Sequence, residues 1–297
     1  MKCCSVTEDF NISQDQKKIV LAGNPNVGKS IFFNYLTGLY VSVSNYPGTT
    51  LDISKGDFQD KVVLDTPGVY GVSSFNDEEI VARDVIMSAD VIVNVVDAVH
   101  LERDLFLTQQ IIDMQIPVIV ALNMMDEAEK NGLKIDIEKL SKKLGVPVIP
   151  TVATKGNGLK RLKEMIPKAT KGKICYTSNS ELCNNVEQID KKTNNRPDSV
   201  LITEGDKQVA ARNNIEPLKK REDMYRLRRE RINNIINKVV TIDRKANSFA
   251  ARLGSWMLRP LTGIPILIGI LYLLYEFIGV FIAQTVVGVT EGTIFVG

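Results

Sequence analysis

Histidine is nearly missing from this sequence: His100 is the only one in 297 residues. That removes imidazole-rich metal centres and His-based nucleophilic triads from consideration. His100 follows Asp97 near an expected helix start and reads as a surface or capping residue. There are four cysteines, Cys3, Cys4, Cys175 and Cys183, with no Cys-x-x-Cys spacing. A zinc ribbon and a disulfide scaffold are excluded, and unpaired thiols in a reducing compartment remain. No apolar run opens the chain, so there is no secretory signal, and residues 1–16 read as a polar, flexible tail. Internal repeats and low-complexity tracts are lacking. The net charge of +2 says nothing about nucleic acid, because it hides strong local asymmetry. The Arg221–Arg231 stretch is basic but offers little aromatic surface for base stacking, so nucleic acid is not an expected partner.

Between residues 17 and 170 short apolar runs alternate with amphipathic ones. The pattern predicts strands at Lys18–Gly23, Val62–Asp65, Val91–Asp97, Val118–Asn123 and Val146–Ile149. Helices are predicted at Lys29–Thr37, Asp77–Met87, Glu102–Met114, Asp136–Leu144 and Leu159–Pro167. Apolar strands separated by helices imply an α/β fold with a mostly parallel sheet and helices on both faces. Ligands of such sheets bind at the C-terminal ends of the strands.

The first strand runs into Gly23-Asn24-Pro25-Asn26-Val27-Gly28-Lys29-Ser30, a G-x-x-x-x-G-K-[ST] loop. At a strand-to-helix turn its backbone N–H groups face a phosphate; Lys29 reaches the β/γ-phosphates and Ser30 holds Mg²⁺. Asp65-Thr66-Pro67-Gly68 closes the next parallel strand, where Asp65 reaches Mg²⁺ and the Gly68 N–H meets the γ-phosphate. Asn123-Met124-Met125-Asp126 closes a later one. The Asp126 carboxylate can accept from guanine N1–H and the 2-amino group together, and adenine would leave it unpaired. Asn123 either braces the loop or touches the purine N7. In Val152-Ala153-Thr154, an exposed Ala153 N–H is expected to meet guanine O6. Gly38–Asp52 shows no periodicity and reads as a mobile loop carrying Gly48, Thr49 and Thr50. One of its threonines would hold Mg²⁺ while the γ-phosphate is present.

These boxes resemble those of small TRAFAC-class GTPases. The longer strings GNPNVGKS, VSNYPGTT, LDTPGVYG, DAVHLERDLFLTQQ and VIVALNMMDEAEKNG resemble the cytosolic G domain of the ferrous-iron transport protein B family. EDMYRLRRERINNIINKVV resembles that family's helical spacer, and RLGSWMLRPLTGIPILIGIL the entry to its first membrane helix. The resemblance implies a GTPase G domain at 17–170, a mainly helical spacer at 171–250, and the start of a membrane domain at 251–297 with one transmembrane helix at about 264–285. It selects Thr50 over Thr49. It also matches Asn26 to an asparagine that holds K⁺ in monovalent-cation-activated relatives. Asn26, Lys29, Thr50 and Gly68 are then the expected catalytic set. Many GTPases place a water-orienting Gln after D-x-x-G; here that position is Val69. Implied cofactors are GTP/GDP, Mg²⁺ and K⁺, with Fe²⁺ as the transported ion. Implied partners are the membrane, the remaining membrane domain, small accessory iron-transport proteins and a second copy of the chain.

Residues Lys171–Ile215 lose the periodic pattern and read largely as loop, with short elements at Val186–Ile189 and Val200–Ile202. Glu216–Lys245 is helical and charged; its arginines read as a solvated face, with an interfacial role beside anionic lipid as the alternative. Pro265–Ala283 is apolar with Glu276 as its one charge, and basic residues precede but do not follow it. That bias places residues 1 to about 260 in the cytoplasm, at a bacterial inner membrane by the resemblance. The chain reads as the N-terminal portion of a transporter. An RNA-binding GTPase, supported by the basic helix, and a membrane-tethered switch without transport are the readings from other classes.

Overall fold

The computed structural model describes residues 16–38, 42–45, 52–72, 76–242, 254 and 256–279. The chain divides into two units, Met1–Asp243 and Arg244–Gly297.

In the first unit, β1 (Lys17–Gly23) alternates its side chains between two apolar layers. Val20 and Ala22 join one core cluster, and Ile19 and Leu21 join the other. The chain continues through α1 (Lys29–Thr37), β2 (Ser42–Asn45), β3 (Asp52–Phe58), β4 (Lys61–Asp65), α2 (Asp77–Met87), β5 (Val91–Asp97) and α3 (Leu101–Asp113). It goes on through β6 (Val118–Asn123), α4 (Met125–Lys130), β7 (Leu133–Ile135), α5 (Ile137–Leu144), β8 (Val148–Pro150) and α6 (Leu159–Met165). The main sheet has seven strands in the order β2-β3-β4-β1-β5-β6-β8. The five strands from β4 to β8 are parallel, while β2 and β3 form an antiparallel edge. Phe32, Phe33 and Leu36 of α1 and Leu159 and Leu162 of α6 cover one face. Apolar residues of α2, α3 and α5 cover the other.

Two expectations change here. Gly38–Asp52 contains β2, paired with β3 from Ser42 opposite Lys55 to Asn45 opposite Asp52, so part of the segment read as loop is a sheet edge. The last parallel strand lies at Val148–Pro150 rather than Val146–Ile149.

Lys171–Ile215 is corrected further. It holds α7 (Ser180–Thr193), α8 (Arg196–Glu204) and α9 (Lys207–Arg212). The polar residues that obscure these helices start them: Asn179, Asn195 and Asp206 accept first-turn N–H groups as N-caps, and Pro197 sits in the first turn of α8. Then α10 (Arg221–Val239) buries Met224, Arg228, Ile232, Ile235 and Val239, a stripe at helical spacing. Arg228 therefore departs from the solvated face read from the sequence. It is buried at 1% exposure, with Nε 2.7 Å from Asp113 Oδ2 and Nη2 2.5 Å from Glu204 Oε1. A second clamp ties α2 to the helical region. Arg83 Nη1 lies 2.9 Å from Asp206 Oδ2, and Arg212 reaches Asp84 through two bonds of 2.9 and 2.7 Å. Finally β9 (Val240–Ile242) pairs antiparallel with β7.

In the second unit, α11 (Pro260–Leu274) lies within one apolar helix that extends to Gly279, long and apolar enough to cross a membrane. It begins before the expected 264. Its carboxylate, Glu276, accepts from the Tyr272 hydroxyl at 3.1 Å.

Candidate nucleotide site

β1 delivers the chain to the phosphate loop, and α1 leaves it. Gly28 is the N-cap of α1, with φ 93°, and no side chain caps that end. No acidic residue occupies its first turn either, whereas α2 opens with an Asn76 cap and three carboxylates. The N–H groups and positive end of α1 are thus left for an external anion. A side chain at Gly28 would be strained at that φ and would bring Cβ to 2.9 Å from Asn123 Nδ2. Lys29 folds over the loop, donating to Gly23 O at 3.1 Å and Asn24 O at 3.3 Å. Burial lowers its pKa, and the charges of Asp65 and Asp104 oppose that shift. Val27 and Asn24 point inward; Pro25 is half-buried, and Asn26, at φ 65°, and Ser30 are exposed.

β4 runs beside β1 with Asp65 opposite Leu21. Thr66 is an anchor: its N–H and its hydroxyl both donate to Leu21 O, at 3.2 and 2.8 Å. After Pro67, Gly68 lies directly on the phosphate loop, where a Cβ would fall 2.8 Å from Pro25 Cα and 3.2 Å from Lys29 Nζ. Only glycine allows that approach. Asp65 Oδ1 is buried without a partner. Burial pushes its carboxyl up to about 6, against the pull of Lys29. An unpartnered acceptor beside the phosphate loop suits a water-shelled Mg²⁺, so the residues present fit that ion. Val69 turns into the core at 3% exposure.

The base-reading side is built around Asn123. Its Nδ2 donates to Val27 O at 2.9 Å, and its Oδ1 accepts from Ala153 N at 3.0 Å. Asn123 is thus a brace joining the phosphate loop to the last loop. The Ala153 N–H, read from the sequence as exposed and free for guanine O6, instead donates to Asn123 Oδ1, and the residue is 5% exposed. Val152 N and O belong to a small bridge with Asn157, which shapes the turn through Thr154. Met124 adopts φ 59° before α4, and Met125 N donates to Thr151 O at 3.3 Å. Asp126 is partly exposed, and its Oδ2 meets Lys155 Nζ at 2.7 Å, which lowers its pKa.

Two contributors escaped sequence reasoning. Asp104 of α3 accepts from Asn24 Nδ2 at 2.6 Å and from Asp97 N at 2.9 Å, pinning the phosphate loop from a helix with no motif. Lys155 directly follows Val152-Ala153-Thr154, yet nothing local marks it as the partner of Asp126. Gly48, Thr49 and Thr50 lie outside the described residues, as do Cys3 and Cys4. His100 is largely exposed, with Nδ1 2.7 Å from Asp97 Oδ2 and no capping bond. Cys175 is buried and its thiol pushed up by burial; Cys183 is half-buried, and both are free. Among the described residues no cluster of three or more His, Cys, Asp or Glu is placed to hold a metal.

The family model described as ferrous iron transport protein B matches residues 17–166. The Fe(2+) transporter FeoB of Shigella flexneri is 43% identical over 160 residues, 50% of this chain and 21% of that protein. The Salmonella typhimurium transporter is 42% identical over the same shares. The chain thus spans about a fifth of the length of these relatives. Among solved structures, the cytosolic domain of L. pneumophila FeoB aligns with TM-score 0.67 and 33% identity, over 76% of this chain and 100% of that one. A GDP-bound mutant of the S. thermophilus FeoB G-domain gives 0.67 and 32% over the same shares. The GMPPNP form of the T. maritima cytosolic domain gives 0.66 and 28%, again over 76% and 100%. This chain belongs to the ferrous iron transport protein B family and carries its N-terminal GTPase domain, joined to a helical region.

Proposed function

We propose that the domain binds GTP with Mg²⁺, hydrolyses it to GDP and phosphate, and thereby controls ferrous-iron uptake through a membrane domain. The observation that carries this reading is the unpartnered, buried Asp65 Oδ1, held beside the Lys29 loop by the close seat of Gly68. Mg²⁺, when bound, neutralises phosphate charge. Ser30 and Asp65 would hold it, with Thr50 as the switch ligand. Lys29 swings from the Gly23 and Asn24 carbonyls to the β/γ-phosphates, and the Gly68 N–H meets the γ-phosphate. Asp126, kept in place by Lys155, accepts from guanine. GDP- and GMPPNP-bound relatives of the same fold support nucleotide binding at this site.

With Val69 buried, the position that carries a water-orienting Gln in many GTPases does not serve that role, and Asn26 is the residue we assign to a bound K⁺. K⁺, when bound, supplies positive charge where other systems use an arginine. The remaining parts of the reading are a spacer at 171–250 that relays the nucleotide state and an inner-membrane location with residues up to about 260 cytoplasmic. Further membrane segments, accessory iron-transport proteins and a second copy are the partners. Nucleotide competition tests the core of it: GTP should displace a fluorescent GDP analogue at least about a hundredfold better than ATP. Equal displacement refutes the base assignment. Equal turnover in K⁺ and Na⁺, or turnover unchanged by Asn26→Ala, refutes the cation assignment.

A further inference from the structure

We propose that the cavity between the end of α5, residues 173–178 and α10 is a binding site for a phosphate-bearing anion. Its volume is about 450 Å³, within the range of roughly 300–1,000 Å³ typical of small-ligand sites. Four cations line it, Lys143, Lys173, Arg231 and Lys238, against a single carboxylate, Glu230. Among the described residues none of the four is ion-paired. Lys173 Nζ donates to a carbonyl, Lys142 O, at 2.8 Å. Arg231 reaches only carbonyls, Ile174 O at 3.4 Å and Lys143 O at 3.3 Å, and its Nε is buried with no partner.

The other arginines at the joint with the helical region are treated differently. Arg83, Arg212 and Arg228 all meet carboxylates within 3 Å. A second cavity, beside Tyr70, is lined by Arg221 and by three more arginines, Arg103, Arg228 and Arg229. The last three are matched, to Asp104, Asp113 and Glu102 respectively. The α5 dipole accounts for Lys143, in its last turn. The α10 dipole likewise accounts for Lys238, in its own last turn, and neither dipole accounts for Lys173 or Arg231. Lys143, Lys173 and Lys238 are exposed, so water screens their mutual repulsion, and an anion in the concavity would add direct pairing with all four cations. A guanidinium with a free buried N–H beside three ammonium groups is the donor set that phosphate takes. Asn234 and Ser178 add neutral donors at the wall, and Leu227 and Ile235 give it an apolar side. Two sources carry this chemistry, a free phosphate-bearing solute and a phospholipid head group.

Amine acylation of the full chain, read by mass spectrometry with GDP saturating the phosphate loop, separates them. The first arm adds inorganic phosphate to maltoside micelles, with chloride matching the ionic strength. The second compares phosphatidylcholine nanodiscs with and without phosphatidylglycerol. Lys143, Lys173 and Lys238 should be acylated about tenfold more slowly at ligand concentrations about ten times Kd, with exposed Lys191 and Lys192 unchanged. Protection in the first arm assigns a solute, and protection confined to phosphatidylglycerol assigns a head group. Arg231→Gln should abolish protection and leave GDP affinity intact; the exposed Lys238→Gln serves if the first variant does not fold. Unprotected lysines in both arms, or protection that survives both variants, overturns the proposal.

Discussion

Asn123 holds two loops at once, with its Nδ2 on Val27 O and its Oδ1 on Ala153 N–H. Asn123→Ala leaves both groups buried and unpaired, so unfolding in urea should show a loss of about 2–3 kcal/mol, together with faster GDP release. A loss under about 0.5 kcal/mol, the size of an ordinary surface change, would contradict the brace. Asp65 sets a pH dependence of unusual sign. Its carboxyl sits at about 6 in the fold, against about 3.9 in the unfolded chain. The folded state therefore holds the proton more tightly. Its contribution is fully present below about pH 4 and is lost as pH rises through about 6. In nucleotide- and Mg²⁺-free protein the effect is on the order of 2–3 kcal/mol. The stability of Asp65→Asn relative to wild type should rise between pH 4 and 7, and a flat difference would exclude the burial described. Val69→Gln tests the other end of the turn. Its amide would enter the apolar core cluster to which Val69 belongs, so it should cost about 1–3 kcal/mol and leave GTP turnover no faster. A faster enzyme would mean that position 69 can face the phosphate.

At the scale of elements, legibility followed the source of each element's stability. α1, α2, β5 and β6 occupy the spans their periodicity predicts, because each buries a continuous apolar face in the main sheet or against it. The phosphate loop was legible for a related reason: its glycines and lysine act through local geometry. By contrast, α7, α8 and α9 hide among Asn, Asp, Lys and Thr. Their signal was capping rather than hydrophobic period: Asn179, Asn195 and Asp206 at the starts, Pro197 in a first turn and Gly205, at φ 97°, closing α8. The β2–β3 edge and the β7–β9 pair were illegible because short strands draw their stability from partners distant in sequence. Arg228 and Asp104 were illegible for the same cause, since only the fold shows what meets them. The α2 clamp yields a prediction at this scale. Arg83 is fully buried between Asp84 and Asp206, so Arg83→Met should cost about 3–5 kcal/mol by taking a buried cation from two carboxylates, of which Asp84 keeps Arg212. Denaturant titration checks it, and Arg83→Lys should recover only part, lacking the fork that also reaches Gln208.

At the scale of the molecule, the two units should behave as different materials. The first carries the buried apolar core, and the described helix of the second is exposed along its length. Ending the chain at residue 253 should move it from the membrane pellet to the supernatant with GDP affinity unchanged. A truncated chain that still pellets would place the membrane contact in the first unit. The exit strand β9 adds a consequence of its own. Ile242, its last residue, pairs with Leu133 at the start of β7, just after the helix that begins at Asp126's own turn. Tension entering at Ile242 would load two things at once, the two-stranded joint with β7 and the end of α10 that β9 continues. Because β7 follows the helix that carries Asp126, the loop assigned to the base under the proposed function is the part of the site nearest in sequence to that load.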